Sequence, residues 1–252
     1  MPVYPVYHRA SHKAPLSLSP GLALQTGKEH IRSLYGVGVP SAVLTGLFDV
    51  ASICVNIVAS AHNDIVLAGM GIVMKVERIP NAINIGLCQG MLPIVAYNYT
   101  ARNHRRMMET IRTARISGLI IAAASIVLLE LFAYPVTHVF LSTSGGDVQA
   151  AIKTVAYATL FLRIRCIAAP AQFLNYHTSF CMQAMGDGKA TMIHALVRQL
   201  VFYIPLMFLL DHIFGETGLA SALPVGETCG AVFALCLFRY VLRRKQTDTG
   251  KK

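Results

Sequence analysis

The residues of this chain that can do chemistry are ionisable side chains set inside long apolar runs. Asp49 lies in Leu47-Phe48-Asp49-Val50, near the middle of the apolar run 34–60, among apolar and small neighbours. Placing such a group at the centre of a membrane helix costs about 2.5–3.5 kcal/mol, so it faces a cavity or a partner. A carboxylate there suits reversible protonation or the binding of a small cation. The structural alternative is a carboxylate capped by Ser52 or Asn56, or paired with an arginine. Lys75, Glu77 and Arg78 form a charged knot beside Pro80. Glu77 and Arg78 are chain neighbours and do not face each other on a helix, so their partners are expected on other helices. Arg163 and Arg165 raise the same question: an intramembrane ion-pair network or a place in a transport path. Arg198 is counted in the same charged network and, with Gln199, is a candidate to bind a carbonyl end across the lobe. Glu227, beside Gly226, is a second carboxylate candidate.

Other chemistries find no support. The Gly186-Asp-Gly-Lys189 turn lacks the residues of a phosphate loop. No Ser/His/Asp order and no metal-ligand quartet is present. His8 and His12 are spaced i, i+4, but they sit among prolines without a third ligand and read as a solvated tail. The six cysteines have no metal-like spacing and read as small apolar packing residues. The expectation is therefore a non-enzyme with no metal and no cofactor beyond a coupling ion.

The elements that must hold these residues are membrane helices. Apolar residues make up 54% of the 252 and charged residues 13%, against about 25% charged in soluble domains. The mean hydropathy is +0.53. Apolar runs at about 34–60, 65–97, 116–141, 150–185, 190–214 and 219–242 predict an all-α integral membrane protein with six transmembrane helices. A polar leader over 1–30, a six-helix domain over 31–245 and a polar tail over 246–252 complete the organisation. A basic loop over 98–115 and a break at 142–147 separate spans.

The net charge of +10 could suggest nucleic acid, but its placement argues for a bilayer. Arg102, Arg105, Arg106, Arg112, Arg115, Lys189, Arg243, Arg244 and Lys245 fall on one side of the proposed spans. Lys153 falls on the other with Asp64, Asp147, Asp211 and Glu216. That asymmetry predicts a multi-pass protein of the plasma (inner) membrane with both termini cytoplasmic.

Residues 80–106 carry a more specific signal. Gly86 and Gly90 share one helix face, where small residues admit another helix backbone. Gln89 lies between them, and Pro93 bends the helix. Gly226 and Gly230 repeat the small-residue spacing in the last span. Gly86-Leu-Cys-Gln-Gly-Met-Leu-Pro93, followed by Tyr97-Asn98-Tyr99 and Asn103, resembles the second helix of the C-terminal lobe of the multidrug and toxic compound extrusion (MATE) family. The likeness continues through Gln183-Ala-Met-Gly186 and Arg198-Gln199 to Pro205.

The resemblance implies one lobe of a MATE-type transporter, which exports organic, often cationic, drug-like compounds while protons or sodium ions run inward. It also strengthens Asp49, which resembles the place where the sodium-coupled branch carries its acidic cation ligand. That branch has a second acid on the helix matching the fourth span, where this chain reads Phe173-Leu174-Asn175-Tyr176-His177. Asn175 and Tyr176 can still offer oxygens to a cation, and His177 is able to titrate near neutral pH. Proton and sodium coupling both stay open. Alternating access needs two lobes. The expectation is a truncated gene product or a chain that pairs with a missing N-terminal lobe or with itself. A membrane-embedded binding or channel-like protein is the alternative.

Overall fold

The computed structural model describes residues 28–139 and 148–249. The chain divides into two compact units, Met1–Val39 and Pro40–Lys252. In the first, the described part is helical from Lys28 onward. The expected leader, up to residue 27, and the break at 142–147 lie outside the described residues. Apart from the range of α1, all that follows concerns the second unit.

The elements are α1 (Lys28–His62), α2 (Asp64–Thr100), α3 (His104–Val139), α4 (Val148–Cys166), α5 (Ala169–Ala184), α6 (Gly188–Leu196), a π-helical segment (Val197–Tyr203), α7 (Ile204–Phe214) and α8 (Glu216–Thr249). The fold is all-α, as the apolar runs require. Among the described residues, four stretches are long and apolar enough to cross a membrane: Asp64–Thr100, His104–Val139, Gly188–Phe214 and Glu216–Lys245. A shorter apolar helix, Asp49–His62, precedes them. Taking α4 with α5, and α6 with α7, the described residues form six helical stretches, with short turns at 63, 101–103, 185–187 and 215.

Local chemistry sets the boundaries. Asn63 caps α2 by accepting a hydrogen bond from the Val66 amide at 2.8 Å. Asp187 does the same for α6 from Ala190 at 3.1 Å. The long basic loop expected over 98–115 shrinks to the turn at 101–103. Asn98 lies within α2, where its side chain donates to the Ile94 carbonyl at 2.8 Å. Arg102 takes a left-handed backbone with φ of 56°, and Asn103 then caps α3 through the Arg106 amide at 3.2 Å. The charged knot Lys75, Glu77 and Arg78 lies within α2, which runs on through Pro80 and Pro93.

Two irregularities were not expected. The fourth apolar run breaks at 167–168, where the Ala168 amide reaches only as far as the Arg165 carbonyl, at 3.0 Å, just ahead of Pro170. The fifth run passes through seven π-helical residues immediately before Pro205. A proline inside a helix lacks its own donor and crowds the carbonyl four residues back, and the wider π turn lies at that place. Arg165 and Arg198 sit at these two irregularities.

α2 is the spine. Its first half packs Val66, Met70 and Val73 against Ala158, Phe161 and Leu162 of α4, with Met207, Leu219 and Leu223 in the same core. Its second half packs Met91 and Val95 against Ile111 of α3, Met182 of α5 and Phe238 of α8. Close approach comes from Gly118, whose missing side chain is filled by the Phe173 ring. The outer face of α3 leaves Ile120, Val127, Leu128, Leu131 and Phe132 exposed, a surface that suits lipid because its backbone groups are satisfied within the helix.

The two ends of the bundle differ in charge. At one, Lys245 Nζ donates to the Met185 carbonyl at 3.4 Å and lies 5.9 Å from the Tyr99 ring. This ties the C-terminal ends of α2 and α5 to the basic stretch Arg243-Arg244-Lys245 of α8. At the other, His62 Nε2 meets Asp211 Oδ1 at 2.7 Å.

Candidate functional site

Two buried arginine–carboxylate pairs anchor the interior. Arg165 of α4 donates through Nε and Nη2 to the two carboxylate oxygens of Glu77 on α2, both at 2.9 Å. Arg198, in the π-helical segment, donates through Nε and Nη2 to Glu227 of α8 at 2.9 and 2.6 Å. Both are forked pairs, the geometry in which arginine and a carboxylate bind most strongly. Both satisfy buried charge that would otherwise be costly in an apolar interior.

The second pair has an extended supporting chain. Asn175 Nδ2 donates to the Glu227 carboxylate at 2.7 Å and to its backbone carbonyl at 2.9 Å. Asn175 Oδ1 accepts from His194 Nε2 at 3.2 Å, and His194 Nδ1 accepts from the Ser179 hydroxyl at 2.7 Å. Because an amide oxygen only accepts, the proton of His194 sits on Nε2. The run Ser179–His194–Asn175–Glu227–Arg198 thus ties α5, α6, the π segment and α8 together, and every member is buried. Gly230 leaves room for it: a side chain there would press on Arg198 at 3.1 Å and on Asn175 at 3.3 Å. Gly226 does the same for Tyr203 at 3.2 Å. The Arg198 guanidinium also lies 4.9 Å from the centre of the Tyr176 ring, a cation–π distance.

A cavity of about 550 Å³ opens beside both pairs. Its charged lining is Asp49, Lys75, Glu77, Arg78, Arg165 and Glu227, with Asn56, Asn81, Gln172 and Gln199 as polar neutral groups. Apolar wall comes from Ile53, Val55, Met74 and Leu223. Asp49, Lys75 and Arg78 are exposed there, and among the described residues no ion pair reaches any of the three.

The structure sorts the sequence-derived candidates. Asp49, Lys75, Glu77, Arg78, Arg165 and Glu227 meet at the cavity, and Arg198 lies behind its wall. Asn175, Tyr176 and His177 do not join Asp49. Asn175 is turned to Glu227 and His194, and His177 is fully buried with Nε2 on the Ile111 carbonyl at 3.0 Å. Arg163 leaves the network altogether: it is half-exposed and lies 3.6 Å from Glu130 on α3. The close approach expected at Gly86 and Gly90 is not made by the described residues. Side chains added at either would meet nothing within 4 Å, and the two glycines instead line an open groove with Arg106 and Glu109. Gln89 and Pro93 are exposed on the same side of α2.

Sequence reasoning missed His194, Ser179, Gln172 and Tyr203. For His194 a signal existed: it precedes Arg198 by four positions, one helical turn on the same face. Tyr203 and Gln172 sit near apolar neighbours and carry no pattern of their own.

Residues 40–209 match the MatE family model. The chain belongs to the MatE family. Its relatives include the multidrug export protein MepA of Staphylococcus haemolyticus, 26% identical over 220 residues, which takes in 87% of this chain and 46% of that protein. MepA of Staphylococcus saprophyticus is 27% identical over 220 residues, with the same shares. Among solved structures, a variant of the Vibrio cholerae MATE transporter VcmN superposes with a TM-score of 0.81 at 16% identity, over 96% of this chain and 52% of that one. A MOP superfamily transporter from Pyrococcus furiosus gives 0.81 at 18%, over 87% and 48%. These likenesses give the MatE fold of a multi-pass membrane protein. The chain spans about half the length of the curated relatives it matches.

Proposed function

We propose that this chain is one lobe of a secondary multidrug exporter that moves organic, often cationic, compounds outward while protons or sodium ions run inward. One observation carries the reading: within a MatE fold, Asp49 is exposed on the wall of a polar cavity with no ion pair among the described residues. A proton or a sodium ion on Asp49 cancels its charge. That changes the electrostatics of the cavity and biases which face is open, in proportion to the ion's differential affinity for the two states. Glu227 is held by Arg198 and Asn175, so it serves as fixed wall and Asp49 as the group that exchanges its ion.

A cavity lined by exposed charges is costly against lipid. A second six-helix lobe is therefore the partner we assign to it, either an N-terminal lobe or a second copy, rocking against this one to give alternating access. The end of the bundle that carries Arg102, Arg105, Arg106, Lys189 and Lys245 faces the cytoplasm in this reading, in the plasma (inner) membrane.

The test is dye efflux from vesicles carrying the intact protein, with imposed proton and sodium gradients. The expected result is efflux that collapses with one of the gradients and is abolished by Asp49→Asn while membrane insertion is kept. Efflux that ignores both gradients contradicts coupling. Unchanged efflux in the variant removes Asp49 from it.

A further inference from the structure

The charges that line the cavity do not balance once their partners are counted. Lys75, Arg78 and Arg165 face Asp49, Glu77 and Glu227, three against three. Arg198, behind the wall, neutralises Glu227, which leaves one positive charge in excess. The excess is local. Lys75 and Arg78 are three positions apart on α2, hence on one face with Cβ atoms about 5–6 Å apart. Both are exposed at the cavity, and among the described residues neither has an ion-pair partner. Like charges at that spacing repel.

Arg165 supplies a third donor. Nε and Nη2 are spent on Glu77, but Nη1 is buried and has no hydrogen-bond partner among the described residues, although the side chain is only 5% exposed. A buried guanidinium donor left without an acceptor is costly, and a ligand oxygen in the cavity would satisfy it. Tyr203 neighbours this arginine, and Gln172 and Gln199 add amide donors to the same lining. Ile53, Met74 and Leu223 give the remaining wall an apolar character.

We infer that the wall formed by Lys75, Arg78 and Arg165 is an oxyanion subsite, which takes the carboxylate, sulfonate or phosphate of an organic ligand whose body lies against the apolar wall. This rests on reading the cavity as the substrate chamber. It adds that the chamber accepts compounds bearing an anionic group, with Asp49 as the one exposed charge that opposes them. Arg165 positions the oxyanion through its spare nitrogen and keeps its fork on Glu77.

The probe is dansylglycine, a fluorescent carboxylate, compared with its uncharged methyl ester. Equilibrium titrations use the intact protein in phosphatidylcholine nanodiscs without any ion gradient, so failure of coupled efflux leaves this test standing. The carboxylate is expected to bind about tenfold more tightly than the ester, about 1.4 kcal/mol, through its charge-assisted hydrogen bonds. Arg78→Gln and Lys75→Gln, at exposed positions, are each expected to weaken the carboxylate about tenfold and leave the ester unchanged. Asp49→Asn is expected to tighten the carboxylate. Equal affinity for carboxylate and ester overturns the subsite, as does carboxylate affinity unmoved by both α2 variants. Nanodiscs containing phosphatidylglycerol separate the two sources of oxyanion. Undiminished dansylglycine binding supports a soluble ligand. Displacement by that lipid assigns the wall to a headgroup and overturns the soluble one.

Discussion

The two buried arginine–glutamate pairs have the same fork and different surroundings. Arg198 and Glu227 are 4% and 5% exposed and are backed by Asn175, His194 and Ser179. Arg165 and Glu77 are 5% and 13% exposed, and Arg165 keeps one nitrogen without a partner among the described residues. The first pair is built like a clamp across α5, α6, the π segment and α8. The second is built like a bracket at the edge of a cavity, with a hand left open. Similar side-chain chemistry therefore does different work according to whether its last donor is satisfied by the protein.

The contrast can be broken at its strongest point first. Glu227→Ala leaves Arg198 buried and unpaired, and is expected to cost about 3–5 kcal/mol, read as a large drop in Tm in detergent. Adding Arg198→Met to it should recover much of that loss, because a buried pair replaced by apolar groups is often close to neutral. Glu77→Gln strands a cation that lies beside a polar cavity and keeps an amide oxygen as acceptor. Its expected cost is smaller, about 1–3 kcal/mol, in the same melt, and a loss equal to that of Glu227→Ala would erase the distinction between clamp and bracket. His194→Ala removes one link of the supporting chain and should cost about 1 kcal/mol. A double-mutant cycle with Ser179→Ala sharpens it, with coupling expected because the two groups touch. Arg105→Ala, at the exposed Arg105–Glu109 pair on α3, should move stability by no more than about 0.5 kcal/mol.

Much of the fold was legible because lipid simplifies the grammar. Apolar runs long enough to span a bilayer have few alternatives to helices, and the turns at Asn63, Asn103 and Asp187 carry side chains that cap the helices following them. The pairings were partly legible. Glu77 and Arg78 are neighbours that cannot face each other, so a partner on another helix was required, and Glu77 finds Arg165. The sequence could not say which arginine would answer, since Arg163 and Arg165 differ only in the face they present. Three-dimensional packing turns Arg163 outward to Glu130 and Arg165 inward. The π segment was not legible from apolar periodicity, although Pro205 marks where an ordinary helix is obstructed. The resemblance pointed to the stretch 173–177, with Asn175 and Tyr176 as oxygen donors to a cation and His177 as a titrating group. Packing instead gives Asn175 to Glu227 and buries His177 against α3.

Gly86 and Gly90 teach a related point. Their spacing signals a place where another helix comes close, yet the described residues leave that face of α2 open. In the function proposed above, the helix that fills this face belongs to the second lobe, the same partner proposed to cover the cavity.

The most direct test of the account is ion-driven efflux by the intact protein with and without the Asp49 carboxylate. Efflux that follows a proton or sodium gradient and disappears in Asp49→Asn, with the variant still inserted in the membrane, is the predicted result. Efflux of the same rate and the same gradient dependence in Asp49→Asn would contradict it.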